Sequence, residues 1–231
     1  MKKLGIIQSG YIPWKGYFDI IASCDEFIFY DDVQYTRRDW RNRNFIKAPE
    51  GRLRLTIPVQ VKGKYFQSIK ETKTVDDKWQ KNHFRSIKNN YGNSPFFKEV
   101  SDWLAPLYLT KKYVYLSEVN QLFIKAICKY LKITTSIKNS SEYTLKGDKT
   151  ESLINLCIQT DSSIYISGPK AKNYIEEKKF ADNSLKVEWF DFEGYPPYNQ
   201  KYGDFIHEVS ILDLLFNCGE NSTEYMKHEK Q

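Results

Sequence analysis

The densest collection of chemically capable side chains lies in the run YDDVQYTRRDWRNRNFIK, residues 30–47. It follows an apolar stretch read as a strand, so Asp31 and Asp32 fall at the carboxyl end, where open α/β sheets gather ligand contacts. Behind them come Gln34, Arg37, Arg38, Arg41, Asn42, Arg43, Asn44 and Lys47, interleaved with Tyr35, Trp40 and Phe45. Guanidinium groups suit phosphate, amides suit sugar hydroxyls or base edges, and rings suit stacking. Two readings stand side by side: a ligand site, or a solvated loop whose arginines pair with Asp31, Asp32 and Asp39.

Four other segments offer chemistry. QSGYIPWKGYFDII, residues 8–21, places Gln8 at a strand end and Tyr11 and Trp14 in the following loop as ligand contacts, with Phe18 and Ile21 on the core side of the next helix. His83 shares a helix face with Trp79 and Ile87, so it is either a core histidine or, if that helix lines a pocket, a general base with an intrinsic pKa near neutrality. YISGPKAKNYI runs from a strand through Ser167 and Gly168 into a helix, presenting backbone N–H groups to an anion, with Lys170 and Lys172 adding charge. A tight strand-to-helix turn is the alternative there. EGYPPYNQ carries Tyr195, Tyr198 and Gln200 on a proline-stiffened loop, suited to stacking or to simple turn packing. No two histidines have metal-ligand spacing and no two cysteines form a C-x-x-C pair, so no metal site is expected.

The elements that must position these residues alternate. KLGIIQS, with its exit loop, and EFIFYDD, SIYIS and LKVEWFDF read as strands, with a helix over GYFDIIASC completing an opening βαβ unit. RLRLTIPVQ and GKYFQSIKET, either side of Gly63, are expected to form a small antiparallel excursion. Residues 76–132 read as three amphipathic helices, and DKTESLINLCIQT, the segment after GPKAKN and SILDLLFNCG as further helices. The expectation is a mainly parallel, Rossmann-like (nucleotidyltransferase-type) α/β sheet in one domain over 1–220, with a helical insertion around 76–132 and a flexible tail over 221–231.

Composition narrows the partners. The 231 residues hold 35 Lys plus Arg against 29 Asp plus Glu, a net charge of +6. The charges are interspersed, so an anionic small ligand fits and a duplex nucleic-acid reader is not demanded. Four scattered cysteines read as reduced thiols of a cytoplasmic protein. The start of the chain has too few apolar residues for a signal-peptide core, and no run is long enough to span a membrane.

Taken in order, the segments at 8–47, 79–97 (WQKNHFRSIKNNYGNSPFF), 165–175 and 210–219 resemble the WbqC-like family, with Gln8-Ser9 where members typically show Gln-Pro. The resemblance implies a bacterial protein of surface-polysaccharide biosynthesis that modifies a nucleotide-linked sugar. A looser similarity to the nucleotidyltransferase-type fold aligns its phosphate-holding H-x-G-H turn with Trp14-Lys15-Gly16-Tyr17. Both histidines are absent, Lys15 is left to neutralise phosphate, and an already activated donor becomes the more attractive reading. The leading expectation is transfer of an aminoacyl group such as glycyl, or another small acyl group, to the amine of a nucleotide-linked amino sugar. His83 would be the base, Asp31 or Asp32 would orient the amine or that base, and Arg43 and Lys47 would hold the pyrophosphate. The donor is left open among an ATP-activated acid, an acyl-CoA and an aminoacyl-tRNA. A glycosyltransferase using YDDVQ as a metal-binding motif, and a non-catalytic module of the polysaccharide machinery, are the alternatives.

Overall fold

A computed structural model describes residues 1–227. Its centre is a five-stranded parallel sheet of β1 (Lys3–Ile7), β2 (Glu26–Phe29), β5 (Ser136–Asn139), β6 (Ile164–Ser167) and β7 (Lys186–Trp189), in spatial order β5-β2-β1-β6-β7. A separate antiparallel pair joins β3 (Arg43–Ala48) to β4 (Gly51–Thr56). The α-helices are α1 (Lys15–Ala22), α2 (Lys78–Tyr91), α3 (Phe97–Leu109), α4 (Leu116–Tyr130), α5 (Lys149–Gln159), α6 (Glu177–Asp182) and α7 (Ile211–Cys218).

The central strands β1, β2 and β6 are largely buried on both faces because helices cover both. Phe27 and Phe29 of β2, with Ile164 and Ile166 of β6, join α1 and α4 in the larger core, while Leu4, Ile6, Ile28 and Tyr165 pack with α5 and Phe180 of α6 on the other side. Parallel sheets buried on both faces give such continuous hydrophobic runs rather than alternation. Helix ends follow local chemistry: Asp148 caps α5 by accepting from the Glu151 N–H, and Ser210 caps α7 by accepting from the Leu212 N–H. Gly219 ends α7 at φ +57°, where a Cβ would also strike the Phe96 ring at 2.1 Å.

At three places the structure differs from or adds to the sequence reading. The antiparallel excursion pairs RLRLT backwards with Arg43–Ala48 rather than forwards across Gly63, because Pro49-Glu50-Gly51 makes the tighter reversal and Gly51 takes φ +107°. A fifth strand, β5, extends the sheet at the β2 edge. The segment from 221, expected as a flexible tail, is packed through Lys227. Ser222 and Met226 are buried in and after a 3₁₀ turn over Gly219–Tyr225, and the Lys227 N–H donates to Asp19 Oδ1 at 3.1 Å. Residues 228–231 of that expectation lie outside the described residues.

Candidate functional site

Chain order reverses about β1, since the strand after it joins one side and β6 the other. The carboxyl ends of β1 and β6 therefore flank a topological switch point, the position where open α/β sheets bind ligands. Gln8 follows β1 there, and Ser167 ends β6 with Gly168 beyond it. Arg41, which crosses back to this edge, donates from one guanidinium nitrogen to the carbonyls of Gln8 (3.2 Å) and Ser9 (3.1 Å).

The two aspartates after β2 are held by protein donors. Asp31 Oδ1 accepts from the Ser9 N–H at 2.8 Å; Oδ2 accepts from Ser117 Oγ at 2.6 Å and Gln121 Nε2 at 3.1 Å. Asp32 pairs with Lys70 and accepts from Ser140 Oγ at 2.6 Å. These carboxylates tie the β1 and β2 exits to α4 and to the loops around them. Their oxygens are already engaged, which works against a shared metal for YDDVQ.

The amides of the 30–47 segment also turn inward. Asn42 Nδ2 donates to the Ile57 carbonyl at 2.8 Å, and Asn44 Nδ2 to the carbonyls of Tyr11 (3.1 Å) and Ile12 (2.7 Å). Ile12 has φ +38°, and Asn44 satisfies the carbonyls that this turn leaves in the interior. Gln34 donates to the Tyr65 carbonyl and Arg43 is half-buried in β3. The expected contact residues Asn42 and Asn44 are thus fold-forming, because a buried backbone carbonyl needs a donor as much as a ligand does.

His83 is likewise in the core. Its Nδ1 is 2.9 Å from the Tyr11 hydroxyl, which lies 2.5 Å from that of Tyr108, and the ring also bonds the Thr56 backbone. Tyr11 is fully buried, and burial pulls the His83 imidazolium down to about 4, so the ring is neutral near pH 7. His83 Nδ1 and the Tyr11 hydroxyl are engaged with each other, and both residues are buried. The structure thus places the expected base, His83, and the expected contact, Tyr11, in the core.

What the fold does bring together is an aromatic wall running from Gly168 to Lys47. A Cβ on Gly168 would touch Phe192 at 3.3 Å, and the Phe192 ring centre lies 5.4 Å from that of Trp14. Trp14 meets Tyr195 edge-on at 5.4 Å. The Lys15 ammonium stands 4.8 Å from the Tyr195 ring centre and 5.4 Å from that of Tyr198, and donates to the Pro196 carbonyl at 3.3 Å. Gln200 Nε2 donates to the Tyr198 hydroxyl at 3.2 Å, while its Oε1 accepts from Lys47 Nζ at 2.8 Å. The Tyr198 hydroxyl donates to Asp213 Oδ2 at 2.6 Å, and the Tyr91 hydroxyl to Oδ1 at 2.8 Å.

Lys15 is the group of chemical interest on this wall. Itself buried, it borders a small, partly open cleft of about 10 Å³ shared with Tyr198, Phe205, His207, Ser210 and Leu214. Burial pulls its ammonium from the ordinary 10.5 down to about 8, because rings replace water around it; Asp19 partly offsets this. Asp213 is fully buried, and desolvation raises its carboxyl pKa despite the two tyrosine donors. Sequence reasoning missed Asp213, although an acid within the otherwise apolar ILDLLF was a signal. It also missed Phe192. The turn aligned with H-x-G-H is filled: the Trp14 ring lies where a Gly16 Cβ would come within 2.5 Å, and the Tyr17 hydroxyl donates to the Gln8 carbonyl at 3.2 Å.

Comparison with known proteins agrees with this layout in extent. A family model described as "WbqC-like protein family" matches residues 8–225, which takes in the switch point and the whole wall. A protein of Mycobacterium tuberculosis (strain ATCC 25618 / H37Rv), named "Uncharacterized protein Rv1507c", is similar at 50% identity over 231 residues, the full length of both chains. No solved structure matches.

Proposed function

This chain belongs to the WbqC-like family, and on that premise we propose that it forms an amide on a nucleotide-linked amino sugar, transferring a glycyl, other aminoacyl or small acyl group in O-antigen- or capsule-type polysaccharide assembly. The observation that carries the proposal is Lys15, an amine with its pKa pulled to about 8, held against the Tyr195 and Tyr198 rings beside a small cleft. An amino sugar is an ammonium ion at neutral pH and cannot attack a carbonyl until it loses a proton. A neutral Lys15 Nζ accepts that proton. The sugar nitrogen then bonds to the acyl carbon as the donor's C–O or C–S bond breaks; the electron pair leaves with the adenylate, tRNA or thiol, and the nitrogen's second proton passes to the leaving group or to water.

The remaining residues take supporting parts. Trp14 and Phe192 offer ring faces to the sugar or base, and Gln8, Ser167 and Gly168 bring polar backbone and side chain to the strand ends. Lys47 and Gln200 hold Tyr198, and through it the rim beside Lys15. Asp31 and Asp32 are positioning residues that fix the two loops. The filled Trp14-Lys15-Gly16-Tyr17 turn favours a donor that arrives activated, as an acyl-CoA or aminoacyl-tRNA, over an acid activated by ATP in place.

The test is mass spectrometry of nucleotide-linked 3-amino and 4-amino sugars incubated with the purified protein and each donor class. The expected result is a mass gain of one acyl group, lost in a folded Lys15→Met variant. Tight binding of a nucleotide sugar with no mass gain under any donor would overturn acyl transfer.

A further inference from the structure

We propose that the loop over residues 61–67 and the neighbouring Arg37–Trp40 turn form a docking surface for an anionic lipid bilayer. Phe66 is 85% exposed and Tyr65 68%, on a polypeptide with ample core elsewhere, and Trp40 adds a third ring at 47%. Large aromatics held this far into water mark an interaction surface. They are held there by design of the loop. The Tyr65 carbonyl accepts from Gln34 Nε2 at 2.9 Å, the Gln67 carbonyl from the Tyr35 N–H at 2.9 Å, and the Val61 carbonyl from an Arg37 guanidinium nitrogen at 2.8 Å. Gly63 turns the tip at φ +71°.

Charge around the rings is one-signed. Lys62, Lys64, Arg37 and Arg38 are exposed, while Asp39, the acid within these two segments, is occupied by Thr36 Oγ1, the Trp40 N–H and Arg41. Rings that enter the headgroup boundary, with cations left at the phosphate level, form the pattern by which soluble proteins rest on a bilayer. A single-stranded nucleic acid would also meet the charge, but stacking successive bases calls for accessible parallel ring faces. Here the Tyr65 and Phe66 planes stand at 89° with centres 5.0 Å apart, a wedge rather than a platform. The geometry favours the bilayer.

Vesicle co-sedimentation of the full chain tests this, with phosphatidylglycerol–phosphatidylcholine vesicles against pure phosphatidylcholine. Binding is expected to the anionic vesicles, to weaken with salt, and to be slight on the neutral ones. Each cation near such a surface is worth about fivefold in partition, so Lys62→Gln with Lys64→Gln reduces binding about thirtyfold. Tyr65→Ser with Phe66→Ser reduces it at least about tenfold, with circular dichroism unchanged because both rings are outside the core. The proposal is overturned by equal sedimentation of the aromatic double variant and the parent, by no binding to anionic vesicles at low salt, or by capture of a single-stranded oligonucleotide when vesicles are ignored.

Discussion

Replacing Tyr195 with serine exposes the Lys15 ammonium to water and should return its pKa toward the ordinary lysine value. With the pKa at about 8, about one Lys15 in ten is neutral at pH 7, against roughly one in three thousand for a lysine at 10.5. The cause is desolvation, and the Tyr195 ring, 4.8 Å from the ammonium, is a principal part of the apolar surround. Every unit of pKa regained cuts the neutral amine at pH 7 about tenfold. Tyr195→Phe keeps the ring and loses only the hydroxyl's 2.5 Å bond to Asp19, so it should leave the low pKa in place. Competitive acylation at trace reagent, with peptide mass spectrometry across pH 6–11, reads the titration of this one amine. A midpoint near 10.5 in the parent protein, or the same midpoint in the serine and phenylalanine variants, would refute the desolvation argument. The linked stability has a definite sign: an unfolded lysine stays protonated to 10.5 while Lys15 does not. The cost of burying its charge is therefore present below about pH 8 and relieved between 8 and 10.5.

Two further outcomes follow from the buried polar groups. His83 should make the fold acid-sensitive: its pKa is lowered to about 4, so between pH 6.5 and 4 the unfolded chain binds a proton that the folded chain refuses, and about 3 kcal/mol is lost over that window. Urea titrations at pH 7, 5.5 and 4 should show a smaller decline in His83→Gln than in the parent, and parallel declines would contradict the assignment. Asp213→Ala leaves the Tyr91 and Tyr198 hydroxyls without their acceptor. Hydrogen bonds to charged groups are worth about 1.5–3 kcal/mol each, and loss of the buried charge offsets part, so a net destabilisation of about 3 kcal/mol is expected by urea unfolding at pH 7.

Much of the fold was legible because its signals are local. The apolar runs KLGII, EFIF and SIYIS, the every-fourth-residue pattern of Trp79, His83, Ile87 and Tyr91, and Ser210 with Gly219 around α7 each carry their own element. β5 carries no such signal: as an edge strand it is half-exposed, so SIKN shows no apolar run. The hairpin was legible as a hairpin but not in its pairing, which depended on which turn closes more tightly. The site divided for a different reason. Aspartates, asparagines and a histidine look the same in sequence whether they face a ligand or a buried carbonyl, and Asp31, Asn42, Asn44 and His83 face the protein. Lys15, Lys47, Tyr198 and Gln200 were singled out separately, yet Lys47 meets Gln200 across 153 positions, which no spacing rule can anticipate.

The place of β1 has a consequence for how the chain is made. Its residues Lys3, Leu4 and Gly5 pair with Ile164, Tyr165 and Ile166. At about 5–20 residues per second, synthesis takes roughly 8–30 s to travel from the first strand to this partner. During that interval a nascent chain can assemble β1, α1 and β2, but one edge of β1 has no native neighbour and offers its open backbone to any other strand. The aromatic wall beside Lys15 draws on Phe192, Tyr195 and Tyr198, which emerge later still. The switch point therefore closes only when β6 arrives, and β7 adds to the outer side of β6 after it.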